Sequence, residues 1–133
     1  MLPDIIRFDE KVLIPAIAQD YLTGEVLMMA WMNKESLELT LKEKTVYYFS
    51  RSRQKLWKKG ETSGQIQQLK EVLVDCDGDA ILLKVRQIGV ACHTGRRNCF
   101  FHKLEEDNKI TINQEILIPE EKLYGQSNND KDE

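Results

Sequence analysis

The stretch 71–86, "EVLVDCDGDAILLKVR", constrains this chain most. Two apolar, β-prone runs flank Asp77-Gly78, and so short a connection leaves them little choice but to pair with each other. Asp-Gly between such runs is a hairpin signal, because glycine tolerates the positive φ that a tight turn demands. A second hairpin is expected upstream. "KVLIPAIAQD" alternates Val12, Ile14, Ala16 and Ala18 on one face, "YLTG" reads as a turn, and "EVLMMAWM" follows as a nearly all-apolar arm, expected to be buried on both faces. Asn33 can cap a helix over "KESLELTLKEK", in which Leu37 and Leu41 lie one turn apart. "TVYYFS" is β-branched and aromatic, hence a strand. "RSRQKLWKKGETSGQ" reads as a loop with a positive field from Arg51, Arg53, Lys55, Lys58 and Lys59. The expected class is α+β, mainly antiparallel sheet with one or two short helices.

A chain of 133 residues accommodates one ordinary core and is short for two. The expected organisation is a domain over 1–110 and a C-terminal extension over 111–133 that ends in the polar, frayed tail "GQSNNDKDE". With 41% apolar and 31% charged residues, the balance is that of a soluble globular protein. "VLMMAWM" is the longest apolar stretch, far below the roughly 20 residues that span a bilayer. No charged n-region with an apolar h-region opens the chain, so a cytoplasmic location is expected. A net charge of −3 argues against a surface dedicated to nucleic acid.

Three cysteines, Cys76, Cys92 and Cys99, are an odd number for a disulfide framework. Fifteen residues separate the first two and six the last two, so no close C-x-x-C pair exists and any shared ligand would draw on different elements. Three sulfurs and a water make an open, reactive zinc site; three small buried hydrophobes are the other reading.

In "DCDGD" an extended backbone would turn Asp75 and Asp77 to one face and Cys76 to the other. Carboxylates are hard ligands suited to Mg²⁺, and Asp75, Asp77 and Asp79 would repel one another without a cation. A solvated acidic hairpin tip accounts for the pattern equally well. A calcium loop fails on register: Ala80 stands where glycine is needed and Arg86 where glutamate is. His93 follows Cys92 and is placed to move protons near neutral pH, whereas His102 lacks such neighbours and reads as structural. The basic stretch, with Tyr47, Tyr48, Phe49 and Trp57 nearby, suits a phosphate-bearing nucleotide, a nucleic-acid strand, or simply solvent.

Taken together, "VYYFSRSRQKLWKKGETSGQ", "DCDGDAILLKV" and "GVACHTGRRNCFF" resemble the phosphoribosyl-AMP cyclohydrolases, over roughly residues 12–103. Asn98 departs from the family, which more often has serine there. The resemblance implies a hydrolase of histidine biosynthesis that opens the adenine ring of phosphoribosyl-AMP at the N1–C6 bond with a zinc-activated water. It implies zinc on Cys76, Cys92 and Cys99 and magnesium on Asp75, Asp77 and Asp79; His93, beside a zinc ligand, is then the candidate proton shuttle. Arg51, Arg53, Lys59, Glu61 and Ser63 become the expected contacts to phosphate and ribose. It also implies an intertwined homodimer whose zinc site takes Cys76 from one subunit and Cys92 and Cys99 from the other. About thirty residues follow Cys99, too few for the second domain many relatives carry, so a single-function form is expected.

Two rivals separate cleanly. A zinc nucleobase deaminase needs H-x-E and P-C-x-x-C, and neither occurs. A small zinc-stabilised nucleic-acid-binding module would hold a closed four-ligand zinc and bind DNA or RNA in a salt-sensitive way.

Overall fold

Apolar alternation in four segments builds one sheet, and the rest of the chain decorates its ends and one face. The computed structural model describes residues 2–124. Along it run β1 (Ile14–Asp20), β2 (Val26–Met32), α1 (Lys34–Glu43), β3 (Tyr47–Ser50), β4 (Lys55–Lys58), β5 (Gln67–Val74), β6 (Ile81–Gln87), β7 (His102–Leu104), β8 (Ile110–Ile112) and α2 (Glu120–Tyr124). The main sheet has the order β2-β1-β6-β5. Both expected hairpins, β1–β2 and β5–β6, are antiparallel, whereas β1 and β6 lie side by side in parallel with Ala16 opposite Ile81 and Asp20 opposite Val85. The class is α+β and mainly antiparallel, with two short helices. No described helix is long and apolar enough to cross a membrane.

The inner face carries Ile14, Ala16 and Ala18 from β1, Met28, Ala30 and Met32 from β2, and Ile81, Leu83 and Val85 from β6. Leu37, Val46, Tyr48 and Trp57 join them in one core. The outer face differs from expectation: β2 is not buried on both sides, since Met29 is 41% exposed. Met29 pairs with Ile17, Ile17 with Leu82, and Leu82 with Leu73, which makes an apolar row across all four strands that faces outward.

α1 starts where its cap predicts. The Asn33 carboxamide accepts from Ser36 N–H at 2.8 Å while the Ser36 hydroxyl accepts from Asn33 N–H at 2.9 Å, satisfying two N-terminal donors. Leu37 is buried but Leu41 is half-exposed, so the apolar stripe is narrower than its spacing suggested. Thr40 docks the helix by accepting from Tyr47 N–H at 2.9 Å. Within the stretch read as a loop, Lys55–Lys58 forms β4 against β3, with Trp57 opposite Tyr48. Flanking lysines obscure this strand in the sequence, although its inward Trp57 is only 4% exposed.

The acidic corner also departs from the extended reading. β5 ends at Val74, and residues 75–80 turn back, with Asp75 N–H donating to Ala80 O at 3.0 Å and Gly78 N–H to Asp75 O at 3.0 Å. The Asp75 carboxylate accepts from the N–H groups of Asp79 and Ala80, so strand alternation gives way to an Asx-type turn. Asp75, Cys76, Asp77 and Asp79 are all exposed. The N-terminal segment braces the turn: Arg7 N–H donates to Gly78 O at 2.7 Å.

C-terminal to the sheet, β7 and β8 form a small exposed hairpin, and residues 113–118 fold back over the 92–99 loop. Leu117 N–H and Ile118 N–H both donate to Gly95 O. The "GQSNNDKDE" tail lies outside the described residues.

Gly78 combines φ +75° with a virtual Cβ 1.9 Å from Ile5 O, whereas Gly64, at φ +81°, has open space around it. Gly64→Ala is expected to cost about 1 kcal/mol from backbone strain alone. Gly78→Ala is expected to cost about 1–3 kcal/mol more from the added clash, a difference readable in urea unfolding midpoints.

Candidate active site and metal centre

The end of β6 sets up the site. After Gln87 the chain turns at Gly89, φ +68°, and Val90 N–H donates to the Gln65 carboxamide oxygen at 3.0 Å. Residues 91–97 then close a small loop: Ala91 N–H donates to Arg97 O, Cys92 N–H to Arg96 O, and Gly95 N–H to Cys92 O. Cys99 N–H donates to Leu27 O at 2.8 Å and fastens the loop's far arm to β2.

This closure brings Cys92 and Cys99 together. Hydrogen bonding from the Cys99 thiol is the main influence on Cys92; burial opposes it, and Thr94 and the charge of His93 add to it. The Cys92 thiol is thereby held down from 9.0 to about 5, so at neutral pH it is a thiolate, the form that binds metal. Its sulfur lies 3.0 Å from Thr94 Oγ1.

The two thiols line a cavity of about 320 Å³ together with His93, Lys59, Trp57 and His102. Lys59 is 4% exposed, and its ammonium donates to Ala91 O at 2.6 Å. Phe101 closes the wall, its ring tilted 38° to that of His102 with centroids 4.4 Å apart and covered by the Arg96 guanidinium at 4.2 Å. Two buried side-chain polar atoms lack a partner among the described residues, Trp57 Nε1 and His93 Nδ1, and both belong to residues lining this cavity. Buried donors and acceptors left unmade are costly, so their coincidence here points to a ligand site. A larger groove of about 800 Å³ lies elsewhere, between α1 and Arg51, but holds neither thiol.

A family model for phosphoribosyl-AMP cyclohydrolase matches residues 28–101, which take in the whole cavity wall except His102. Proteins named phosphoribosyl-AMP cyclohydrolase from Chloroherpeton thalassium, Rhodospirillum centenum and Granulibacter bethesdensis are 56%, 58% and 59% identical to this chain. These similarities cover 96%, 90% and 92% of the chain and 91%, 90% and 95% of the respective relatives. The chain belongs to the phosphoribosyl-AMP cyclohydrolase family.

Of the residues that the cyclohydrolase resemblance singled out, Cys92, Cys99, His93 and Lys59 meet in the cavity. Cys76, Asp75, Asp77 and Asp79 do not line it. They sit on the turn that precedes β6, while the thiol loop follows its other end. Seven strand residues at roughly 3.3 Å each put the two ends about 20 Å apart. Among the described residues no three Cys, His, Asp or Glu side chains are disposed to hold a metal. On the turn, a hydrogen bond that the Asp79 carboxyl donates to Asp75, and the charges of Asp75 and Asp77, push the Asp79 carboxyl up. Arg51 lies over the Trp31 ring at 4.8 Å in the larger groove, and Arg53 occupies the adjoining β3–β4 turn. Glu61 is exposed and Ser63 half-buried in the 60–65 turn, where Ser63 Oγ accepts from Gln65 N–H. Sequence reasoning passed over Thr94 and His102 as site residues and placed Trp57 only among the aromatics beside the basic stretch. Thr94 had a signal, two residues after a candidate thiolate; His102 reaches the cavity only through the fold.

Arg97 and Asn98 hold the thiol loop against the β1–β2 turn. Arg97 pairs with Asp20 at 2.6 Å and Glu25 at 3.3 Å, and Asn98 Nδ2 donates to Glu25 at 2.8 Å. Backbone N–H of Thr23 is the main cause that lowers the Asp20 carboxyl from 3.8; burial opposes it, and Leu22 N–H and Arg97 reinforce it. A carboxyl depressed on folding stabilises the protein above its unfolded value of 3.8, and that contribution is lost as pH falls through the lower folded value. Asp20→Asn is therefore expected to lower unfolding free energy at pH 7 by about 1–3 kcal/mol. The deficit relative to wild type should shrink below pH 4 in denaturant titrations at each pH.

Proposed function

We propose that this chain hydrolyses phosphoribosyl-AMP at the N1–C6 bond of the adenine ring, with zinc on Cys92, Cys99 and a Cys76 contributed by a second copy. Membership of the cyclohydrolase family makes it a hydrolase, and the reading of how it works rests on the cavity. The carrying observation is two thiols in contact, one depressed to about 5, beside an unpartnered His93 Nδ1. Two soft donors with one missing suit a three-thiolate zinc site completed across an interface. The outward apolar row of Met29, Ile17, Leu82 and Leu73 supports a dimer, since such a surface favours burial against a partner. When bound, zinc would supply a water of lowered pKa.

The chain's own residues account for the remainder. His93 Nδ1 takes one water proton as the oxygen adds to C6 and returns it to N1 as the N1–C6 bond breaks, while the other passes from the new hydroxyl to the exocyclic imino nitrogen. The exocyclic nitrogen stays on C6 as a carboxamide, and N1 leaves within a formimino linkage. Lys59, Trp57 and Phe101 wall the base and exclude solvent, which strengthens charge interactions inside. Magnesium on Asp75, Asp77 and Asp79 would require their side chains to re-aim from the arrangement described, would add to the charge balance that the hydrogen bond to Asp75 now provides at Asp79, and would keep waters and substrate phosphate as further ligands. Arg51, Arg53, Glu61 and Ser63 are assigned to phosphate and ribose, and the cytoplasm to the enzyme's place of action.

Mixing two inactive variants tests the shared site. Cys76→Ala and Cys92→Ala are each expected to lose bound zinc and ring-opening activity, followed by the ultraviolet change of the substrate. Unfolded together and refolded as mixed dimers, they should regain about one quarter of wild-type activity, because each mixed dimer rebuilds one intact site and half the dimers are mixed. Dimers that form without any recovery would refute the shared site.

A further inference from the structure

Three buried polar side chains have no part in the chemistry above. Tyr48 and Gln67 are fully buried and Gln87 is 7% exposed. They form one directed chain: Tyr48 O–H donates to Gln67 Oε1 at 2.7 Å, and Gln67 Nε2 donates to Gln87 Oε1 at 2.9 Å. Burial pushes the Tyr48 hydroxyl up, so it remains a donor. Gln67 Nε2 also approaches Met28 Sδ at 3.4 Å, on the cavity wall.

Gln87 ends the chain inside a ring of main-chain oxygens. Its Nε2 lies 2.9 Å from Ile88 O, 3.1 Å from Gln65 O, 3.2 Å from Val90 O and 3.3 Å from Ile66 O. Two N–H groups shared among four acceptors fix the orientation of the carboxamide, because a flip would aim its oxygen at the same carbonyls. Those carbonyls belong to two different loops. Gln65 and Ile66 end the loop that begins at Lys59; Ile88 and Val90 lead directly into Cys92 and His93.

Gln87 thus joins the two walls of the cavity from behind. Three further bonds cross the same gap, Ile88 N–H to Ile66 O, Val90 N–H to Gln65 Oε1 and Lys59 Nζ to Ala91 O. A β-branched or aliphatic residue at the end of β6 would bury as much surface and leave the Gln65, Ile88 and Val90 carbonyls without this donor, Ile66 O alone keeping the Ile88 N–H.

We propose that Gln87 is a positioning residue for the cyclohydrolase reaction, its carboxamide fixing the loop of Lys59 against the loop of Cys92 and His93. Gln67 and Tyr48 hold that carboxamide in register. The proposal rests on the family's hydrolytic activity and not on the metal assignment.

The test compares Gln87→Met, Gln87→Glu and Tyr48→Phe in the full chain. In Gln87→Met, kcat is expected to fall about 10–100-fold, the scale on which ångström misplacement acts, with KM for phosphoribosyl-AMP changed less than about threefold. In metal-free protein the same variant should raise the rate of Cys92 alkylation by iodoacetamide relative to Cys76, whether or not zinc is the native metal. Glutamate buried among carbonyls gains an O–H donor when protonated, so the activity ratio of Gln87→Glu to Gln87→Met should rise as pH falls from 8 to 6. Tyr48→Phe keeps the ring and should lose several-fold in kcat at unchanged KM, which leaves the idea testable if the Gln87 variants fail to fold. Wild-type kcat in Tyr48→Phe, losses matched only by the unfolded fraction, or a pH-independent ratio would each overturn it. Absence of zinc from active wild-type protein would instead count against the metal reading alone.

Discussion

β6 governs the geometry of this molecule. It is hydrogen-bonded along both edges, parallel to β1 and antiparallel to β5, so its seven residues behave as a rigid spacer. One end is the acidic turn with Cys76 and the other is the loop with Cys92. Because β1 runs alongside in the same direction, its own exit at Asp20 lies at the thiol end, where it receives Arg97. A single chain cannot fold the spacer to bring its ends together. Sequence separation between Cys76 and Cys92 is thereby converted into spatial separation within the chain.

Around the thiols the fold accumulates groups that ordinary cores avoid: a buried lysine, two nitrogens without partners, and a chain of buried amides. Burying such groups is unfavourable unless they are satisfied by the protein or by what binds to it. Here the lysine and the amides are satisfied by main-chain oxygens of the loops they support, while the unpartnered nitrogens belong to residues lining the cavity. Rigidity in the walls coexists with unspent hydrogen-bonding capacity at the site, the arrangement expected of a preorganised catalytic pocket.

Much of this was legible in the chain. Asp77-Gly78 specified the β5–β6 hairpin and Asn33 the start of α1, whereas Cys92 and Cys99, expected on different elements, share one loop. Local chemistry explains the two successes, since each signal acts within a few residues. The failures have physical causes too. Alternation could not be carried through Asp75, because its carboxylate captured the backbone N–H groups of Asp79 and Ala80 and ended the strand. Trp57 looked like part of a basic loop because the lysines beside it dominate the local composition. His102 and the β1–β6 pairing depend on contacts between distant segments, for which no local pattern stands proxy. The grouping of Cys92 with Cys99 and apart from Cys76 came from the family resemblance, because no local pattern carries a separation set by the length of β6.

The strap over Gly95 carries a consequence for how the molecule is made. Every strand of the main sheet lies within residues 14–87, but the main-chain donors that close over Gly95 come from Leu117 and Ile118. A ribosome adding about 5–20 residues per second reaches the strap roughly 2–6 s after the end of β6. During synthesis the sheet can therefore form before Gly95 is strapped down, and the 92–99 loop gains these main-chain anchors only after the strands it hangs from are complete.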